Sequence, residues 1–202
     1  MGEPTRWMTA HDAGHSQRYI ERFRQMAAGG ADLAGEARLV DAMLGRRSRV
    51  LDAGCGPGRV GAELAAQGHR VVGVDADREL IEAARADHPG PQWFVADLVE
   101  LDLAAAGELE PFDAAVIAGN VLPYLAQGTE QAVLTRVAAH LGEDAFVVVG
   151  FGLDRGYRLQ DFDADAAGAG LRLEHRFATW DLRPWRDDAP FAVTVLRQPS
   201  AR

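Results

Sequence analysis

VLDAGCGPGRVGAELAAQGHRVVGVD, residues 50–75, is the stretch whose reading decides the fold. An apolar run ends in Asp52 and meets three closely spaced glycines, Gly54, Gly56 and Gly58. An Ala- and Leu-rich segment follows, with Val60 and Leu64 four apart, and stops at Gly68. A second apolar run then ends in Asp75. Strand, glycine turn, helix, strand is the repeating unit of a parallel sheet, and a glycine turn at that point sits where such sheets deliver their strand ends to a ligand. Without Cβ atoms the backbone can turn tightly and approach a ligand, while the helix N-terminus behind it offers free N–H groups to an anion such as a carboxylate. Asp52 stands where an ammonium group would need an anion, and Asp75 can accept both hydroxyls of a ribose. An amino-acid zwitterion joined to a nucleoside satisfies both acids. The string GPGRVG, residues 56–61, also satisfies the G-x-G-x-x-G dinucleotide pattern, which carries little weight alone.

Working outward, the same rhythm continues. Strands are expected at 49–54, 70–75, 92–97, 112–119 and 145–151, with helices over VGAELAAQG, RELIEAARADHPG and TEQAVLTRVAAHLG, the last ending at Gly142. Before the first strand, residues 16–44 hold two helices broken around Gly29 and Gly30, and a further helix is expected from Arg158 to Ala167. LRLEHRFATW (171–180) and APFAVTVLRQ (189–198) read as two last strands whose connection is too short for a crossover, so they form an antiparallel pair. The expected fold is α/β: a Rossmann-like, seven-stranded, mostly parallel sheet with an antiparallel C-terminal strand pair and helices on both faces. Nothing marks an internal boundary. Residues 1–202 are read as a single domain, 1–48 a helical cap and 49–197 the Rossmann-like core.

VLDAGCGPGRVGAELAAQGHRVVGVDADRELIEAAR resembles the first two motifs of class I S-adenosylmethionine-dependent methyltransferases. The resemblance extends to Asp97 in FVADL, to FDAAVIAGNVLPYL and to the doubled strand end, covering residues 49–197. It implies S-adenosylmethionine as cofactor and S-adenosylhomocysteine as product. It further implies that the loop from Gly54 to Gly58 cradles the methionyl part, that Asp75 binds ribose and that Ala76 touches adenine. Asp97 would hold the adenine amino group beside Leu98, and Ala118 to Asn120 would pass close to the sulfonium. NVLPY is similar to the Asn-Pro-Pro-aromatic motif of amino-group methyltransferases but departs from it, because Val121 and Leu122 precede Pro123.

The acceptor has no such signature. His11, His15, Asn120, Tyr124 and His175 are candidate bases, none singled out by a motif. An acceptor pocket is expected between the N-terminal helices and the last loop, lined by Trp7, His15, Tyr19, Tyr124, Trp180 and Trp185, with Arg18 or Arg183 available to an acidic acceptor. Against 30 acidic side chains stand 21 basic ones, a net charge of −9 that disfavours nucleic acid and leaves a small molecule as the expected acceptor. No acidic ligand cluster suggests a metal, and one cysteine, Cys55, excludes structural zinc of the multi-cysteine kind. No apolar run reaches the roughly 20 residues of a membrane span, and the start of the chain lacks the apolar stretch of a signal peptide, so the expected address is cytoplasmic. No feature specifies an oligomeric state. Two rival readings stay open: a non-catalytic S-adenosylmethionine-binding module, and a nicotinamide-dependent oxidoreductase suggested by the literal glycine pattern.

Overall fold

A computed structural model describes residues 3–10, 12 and 14–198; His11 lies outside the described residues. Three helices precede the sheet: α1 (Arg6–Thr9), α2 (His15–Ala28) and α3 (Gly35–Met43). Then follow β1 (Arg49–Ala53), α4 (Arg59–Ala66), β2 (Arg70–Asp75), α5 (Arg78–Asp87), β3 (Gln92–Val95), β4 (Phe112–Ile117) and α6 (Glu130–Ala139). The chain continues through β5 (Leu141–Gly152), α7 (Leu159–Gly168), β6 (Arg172–Phe177) and β7 (Phe191–Arg197). The strands form one sheet in the order β3-β2-β1-β4-β5-β7-β6. β7 runs antiparallel to both β5 and β6, and the pairs among the first five strands are parallel.

This order has a consequence for ligands. From β1 the chain builds outward to β2 and β3, then returns past β1 to lay down β4 and β5 on the other side. The loops leaving β1 and β4 therefore diverge, and open a crevice at the carboxyl ends of the strands.

Two apolar layers hold the sheet. On one face Leu51, Ala115, Ile117 and Val147 pack with Leu134 and Val137 of α6 and Phe162 of α7. On the other, Val50, Ala114, Val116 and Val148 pack with Leu39 and Val40 of α3 and Val60 and Leu64 of α4. All five residues of β1 are buried, as expected of a central strand covered on both faces. The glycine within β2 has a packing cause: a Cβ on Gly73 would lie 2.2 Å from the ring of Trp93.

The differences from the sequence-based expectation lie at element ends. α1 is an addition to it. β4 stops at Ile117, because Gly119 (φ 76) and Asn120 (φ 66) leave the extended region. β3 stops at Val95, and Asp97 instead begins a short 3-10 turn, accepting a hydrogen bond from the N–H of Val99. α6 ends at Ala139, short of Gly142, since Leu141 already pairs with Phe112 and opens β5. Among the described residues no helix is long and apolar enough to cross a membrane.

Candidate active site

The crevice at the β1/β4 divergence is a cleft open to solvent. Its floor is the glycine loop. The N–H groups of Gly54 and Cys55 both donate to the carbonyl of Val74, at 2.8 and 3.0 Å, which folds the loop back over the end of β2. Gly54 has φ 79, and a Cβ there would lie 2.4 Å from Val121, so the loops after β1 and β4 meet at a position that only glycine can fill.

Of the residues singled out for the cofactor, Asp52, Gly54, Gly56, Asp75, Ala76, Asp97, Leu98, Ala118 and Asn120 line this one cleft. Gly58 does not. It caps α4 with φ 85 and lies against Trp93 and Ala84, so its missing side chain makes room for packing.

Each acid is held by backbone donors. Asp52 is almost completely buried and accepts the N–H of Gly61 in the first turn of α4, at 2.8 Å. Asp75 accepts from Gly56 and Asp77, both at 2.9 Å. Burial dominates over these bonds. It pushes Asp52 up to about 7 and Asp75 up to about 6. Asn120 spends its side-chain carbonyl on the N–H of Gly152, at 2.7 Å, and so ties the loop after β4 to the end of β5.

The N-terminal helices form the facing wall. Trp7, Tyr19 and Phe23 line the cleft, with Tyr124 opposite; Trp7 meets Tyr19 and Tyr124 edge-on at centroid distances of 5.2 and 5.8 Å. The wall is fastened at Asp77. One carboxylate oxygen accepts from the Trp7 indole (2.9 Å) and the Ser16 hydroxyl, while the other caps α5 through the N–H of Glu79. Arg59 also lines the cleft. Its guanidinium is committed to Glu36 and the carbonyl of Leu33, and lies over the ring of Phe23.

Several expected acceptor residues fall elsewhere. Trp180 does not line the cleft: its ring sits over Gly150 of β5, where a Cβ would lie 2.2 Å away. Arg183 is exposed and pairs with Asp181. Trp185 lies beneath Arg176, Arg18 pairs with Asp12, and His175 stands on the edge strand β6. His15 stacks edge-on against Trp7 without lining the cleft. Tyr19 and Tyr124 line the cleft, without the last loop that was expected to face them. Phe23, one helical turn from Tyr19, and Arg59, inside the quoted loop, join the site without having been expected there; their spacing is the signal that could have found them.

A TehB-like S-adenosylmethionine-dependent methyltransferase from Corynebacterium glutamicum is 41% identical to this chain, with a TM-score of 0.87 over 93% of this chain and 100% of its own. The chain belongs to the S-adenosylmethionine-dependent methyltransferases. The family model described as a methyltransferase domain matches residues 50–144, which hold β1 to the start of β5. Trans-aconitate 2-methyltransferase of an Azoarcus species is 36% identical over 84 residues, 41% of this chain and 31% of that protein. The same enzyme of Rhizobium rhizogenes is 41% identical over 78 residues, 28% of its length. The match thus spans about a third of these curated relatives. CcbJ methyltransferase from Streptomyces caelestis, 21% identical with a TM-score of 0.73 over 83% of this chain and 95% of its own, shares the fold.

The donor set suits the family's cofactor. A side-chain-free loop, a buried carboxylate behind it and a second at the end of β2 match a ligand that carries an amino acid on a nucleoside. Burial raises both acids, and a positive charge brought beside them would offset that cost.

Proposed function

We propose that this methyltransferase transfers the methyl group of S-adenosylmethionine to a small-molecule acceptor in the cytoplasm, as one domain whose first 48 residues cover the site. The observation that carries the reading is the convergence of Asp52, Asp75, Asp97 and the Gly54–Gly56 loop on a single cleft. In it, Asp52 meets the ammonium of the methionyl end, the loop holds the carboxylate, Asp75 takes the ribose hydroxyls, and Asp97 with Leu98 takes adenine. Ala118 to Asn120 flank the reacting end.

The cofactor supplies a methyl group on a positively charged sulfur: the acceptor's lone pair forms the new bond as the S–CH₃ bond breaks, and its electron pair stays on sulfur as a neutral thioether. The protein's part is to hold the acceptor in line and keep water out. Trp7, Tyr19, Phe23 and Tyr124 provide an apolar wall for this. The guanidinium that lines the cleft among the described residues, Arg59, already serves Glu36. An uncharged or singly charged acceptor therefore fits better than a tricarboxylate such as trans-aconitate, and a cleft walled by aromatic side chains in a chain of net charge −9 fits a small molecule better than a nucleic acid.

Calorimetric titration with S-adenosylmethionine, S-adenosylhomocysteine and NAD tests the cofactor site. Both adenosyl ligands should bind, NAD should not, and Asp75→Ala should weaken binding by about tenfold or more. Binding of NAD alone would return the chain to the oxidoreductase reading. Tight adenosyl binding with no turnover across thiols, amines, phenols and carboxylates would favour a binding module.

A further inference from the structure

Trp93, on β3, fills the space beneath the glycine loop. The six-membered ring of its indole lies 2.9 Å from the points that a Cβ would occupy on Gly58 and on Gly61, and closer still to the corresponding point on Gly73. One side chain thus meets three places where a side chain is missing: the N-cap of α4, the first turn of α4 and the interior of β2. Two of these glycines stand where the residue lowers stability. Inside a helix glycine costs about 1 kcal/mol against alanine, and inside a strand it leaves nothing to pack. Gly58 needs its positive φ, but neither Gly61 nor Gly73 has one, so what both accommodate is the indole.

The indole is fixed from its other side as well. Its N–H donates to the carbonyl of His88 at the end of α5 (2.9 Å), Arg85 donates to the Trp93 carbonyl (2.6 Å), and Ile81 and Ala84 of α5 pack against it together with Cys55. On the loop side, Gly61 carries the N–H that Asp52 accepts, and the point of its missing Cβ is 3.0 Å from that same carboxylate oxygen. Indole, Gly61 and carboxylate are in direct succession, so the seat of this turn on the ring sets how Asp52 is held. The carboxylates at the nucleoside end depend on other donors: Asp75 on the N–H groups of Gly56 and Asp77, Asp97 on that of Val99.

We infer that Trp93 is a positioning residue, whose indole seats the first turn of α4 so that Asp52 meets the amino-acid end of the cofactor, while the nucleoside end is held without it. The inference rests on the cofactor reading proposed above. It also accounts for the literal G-x-G-x-x-G match, because the second and third glycines of that string, Gly58 and Gly61, make room for a side chain of the protein itself.

The experiment is calorimetric titration of wild type, Trp93→Phe and Gly61→Ala with S-adenosylhomocysteine and with 5′-methylthioadenosine, which has the nucleoside and the sulfur but no amino acid. Phenylalanine is too short to reach α4, and alanine at 61 pushes the same turn off an intact indole, so if one variant fails to fold the other still decides. Both should lose about tenfold for S-adenosylhomocysteine and less than twofold for 5′-methylthioadenosine. The pH profile supplies a readout that a general loosening of the core would not move. Asp52 is surrounded by Arg59, Asp75, Glu36 and Cys55, which stay in place, and the Gly61 N–H is the bond that lowers it; with that bond stretched, the rise of S-adenosylhomocysteine affinity with pH should shift upward by about half a unit or more. Equal losses for the two ligands, or a split between them with no shift in pH, would make Trp93 a core residue that supports the site as a whole, and unchanged affinities would uncouple it from Asp52; each overturns the inference. Wild type that binds neither ligand would instead remove the cofactor reading, and the inference with it.

Discussion

Asp52 and Asp75 are carboxylates that the fold removes from water before any ligand arrives. Burial is the largest cause in both, lifting them from an ordinary value of 3.8 to about 7 and about 6, against the pull of the backbone N–H groups they accept. Between those values the folded chain holds protons that the unfolded chain has released. Their contribution to stability is therefore full below about pH 4 and lost as pH rises toward 7, on the order of 1.4 kcal/mol for each tenfold weakening of the acid. A cationic ligand reverses this preference, because an ammonium beside Asp52 favours the ionised form. Affinity for S-adenosylhomocysteine should then rise between about pH 5.5 and 7.5. Calorimetry at about pH 6.5 in buffers of different ionisation enthalpy should detect protons released on binding, and Asp52→Asn should lose that release along with about tenfold in affinity. A flat affinity across this range would mean that neither acid meets the ligand's charge. Both acids were legible in the sequence because strand ends and glycine loops fix their place. Their protonation was not, since burial is set by residues far away in the chain.

At the scale of elements, Asp77 does two jobs at once. As the cap of α5 it satisfies the N–H of Glu79, and through its other oxygen it fastens Trp7 of α1 and Ser16 of α2. Asp77→Ala should cost about 1–3 kcal/mol in urea denaturation, the cap and the two donors together, whereas Asp77→Asn, which still caps, should cost less than about half of that. Equal losses would mean that the charge, and not the geometry, holds the cap. The seat of Trp180 gives a second test. Gly150→Ala should destabilise by about 1–3 kcal/mol because the new methyl meets the indole, and Trp180→Leu introduced beside it should recover much of that loss. Independent, additive effects would show that the loop is not seated there. These two elements also mark where the sequence stops being legible. The strands and α4 to α7 can be read from valine runs, apolar spacing and glycine stops. α1 is four residues, RWMT, too short to show a period. Trp180 and Arg183 belong to the acceptor pocket by their place in the chain, but one glycine on β5 draws the indole onto the sheet, and Arg183 is left in solvent beside Asp181.

For the molecule as a whole, α3 is packed into the sheet's apolar layer, whereas α1 and α2 are joined to the rest of the chain by polar ties, several of them beside the cleft. Arg6 reaches the carbonyl of Leu125 and Glu130, Trp7 and Ser16 reach Asp77, Arg24 reaches Asp87, and Arg59 reaches back from the glycine loop to Glu36. Exposed members of this set, such as Arg24 with Asp87, contribute little by themselves. Most anchors on the sheet side lie on or beside a segment that lines the cleft, so a ligand that orders the cleft also orders the anchors. At a hundred times its dissociation constant, an adenosyl ligand should stabilise the chain by about 2.7 kcal/mol, and a chain of this length should gain roughly 5–10 °C in thermal midpoint. Where that stabilisation appears is the sharper question. If the cap is coupled to the cofactor site, hydrogen exchange in the presence of S-adenosylhomocysteine should slow in α1 and α2 as well as in the Gly54–Gly58 loop, and Ser16→Ala should abolish the slowing in α1 and α2 while leaving most of it in the loop. Protection confined to the loop in wild type would make the cap a fixed wall, built before the ligand binds and indifferent to it. Protection that spreads to the cap and retreats with Ser16 would make cofactor binding the event that closes the acceptor site, since Tyr19 and Phe23 come to the cleft on that same helix.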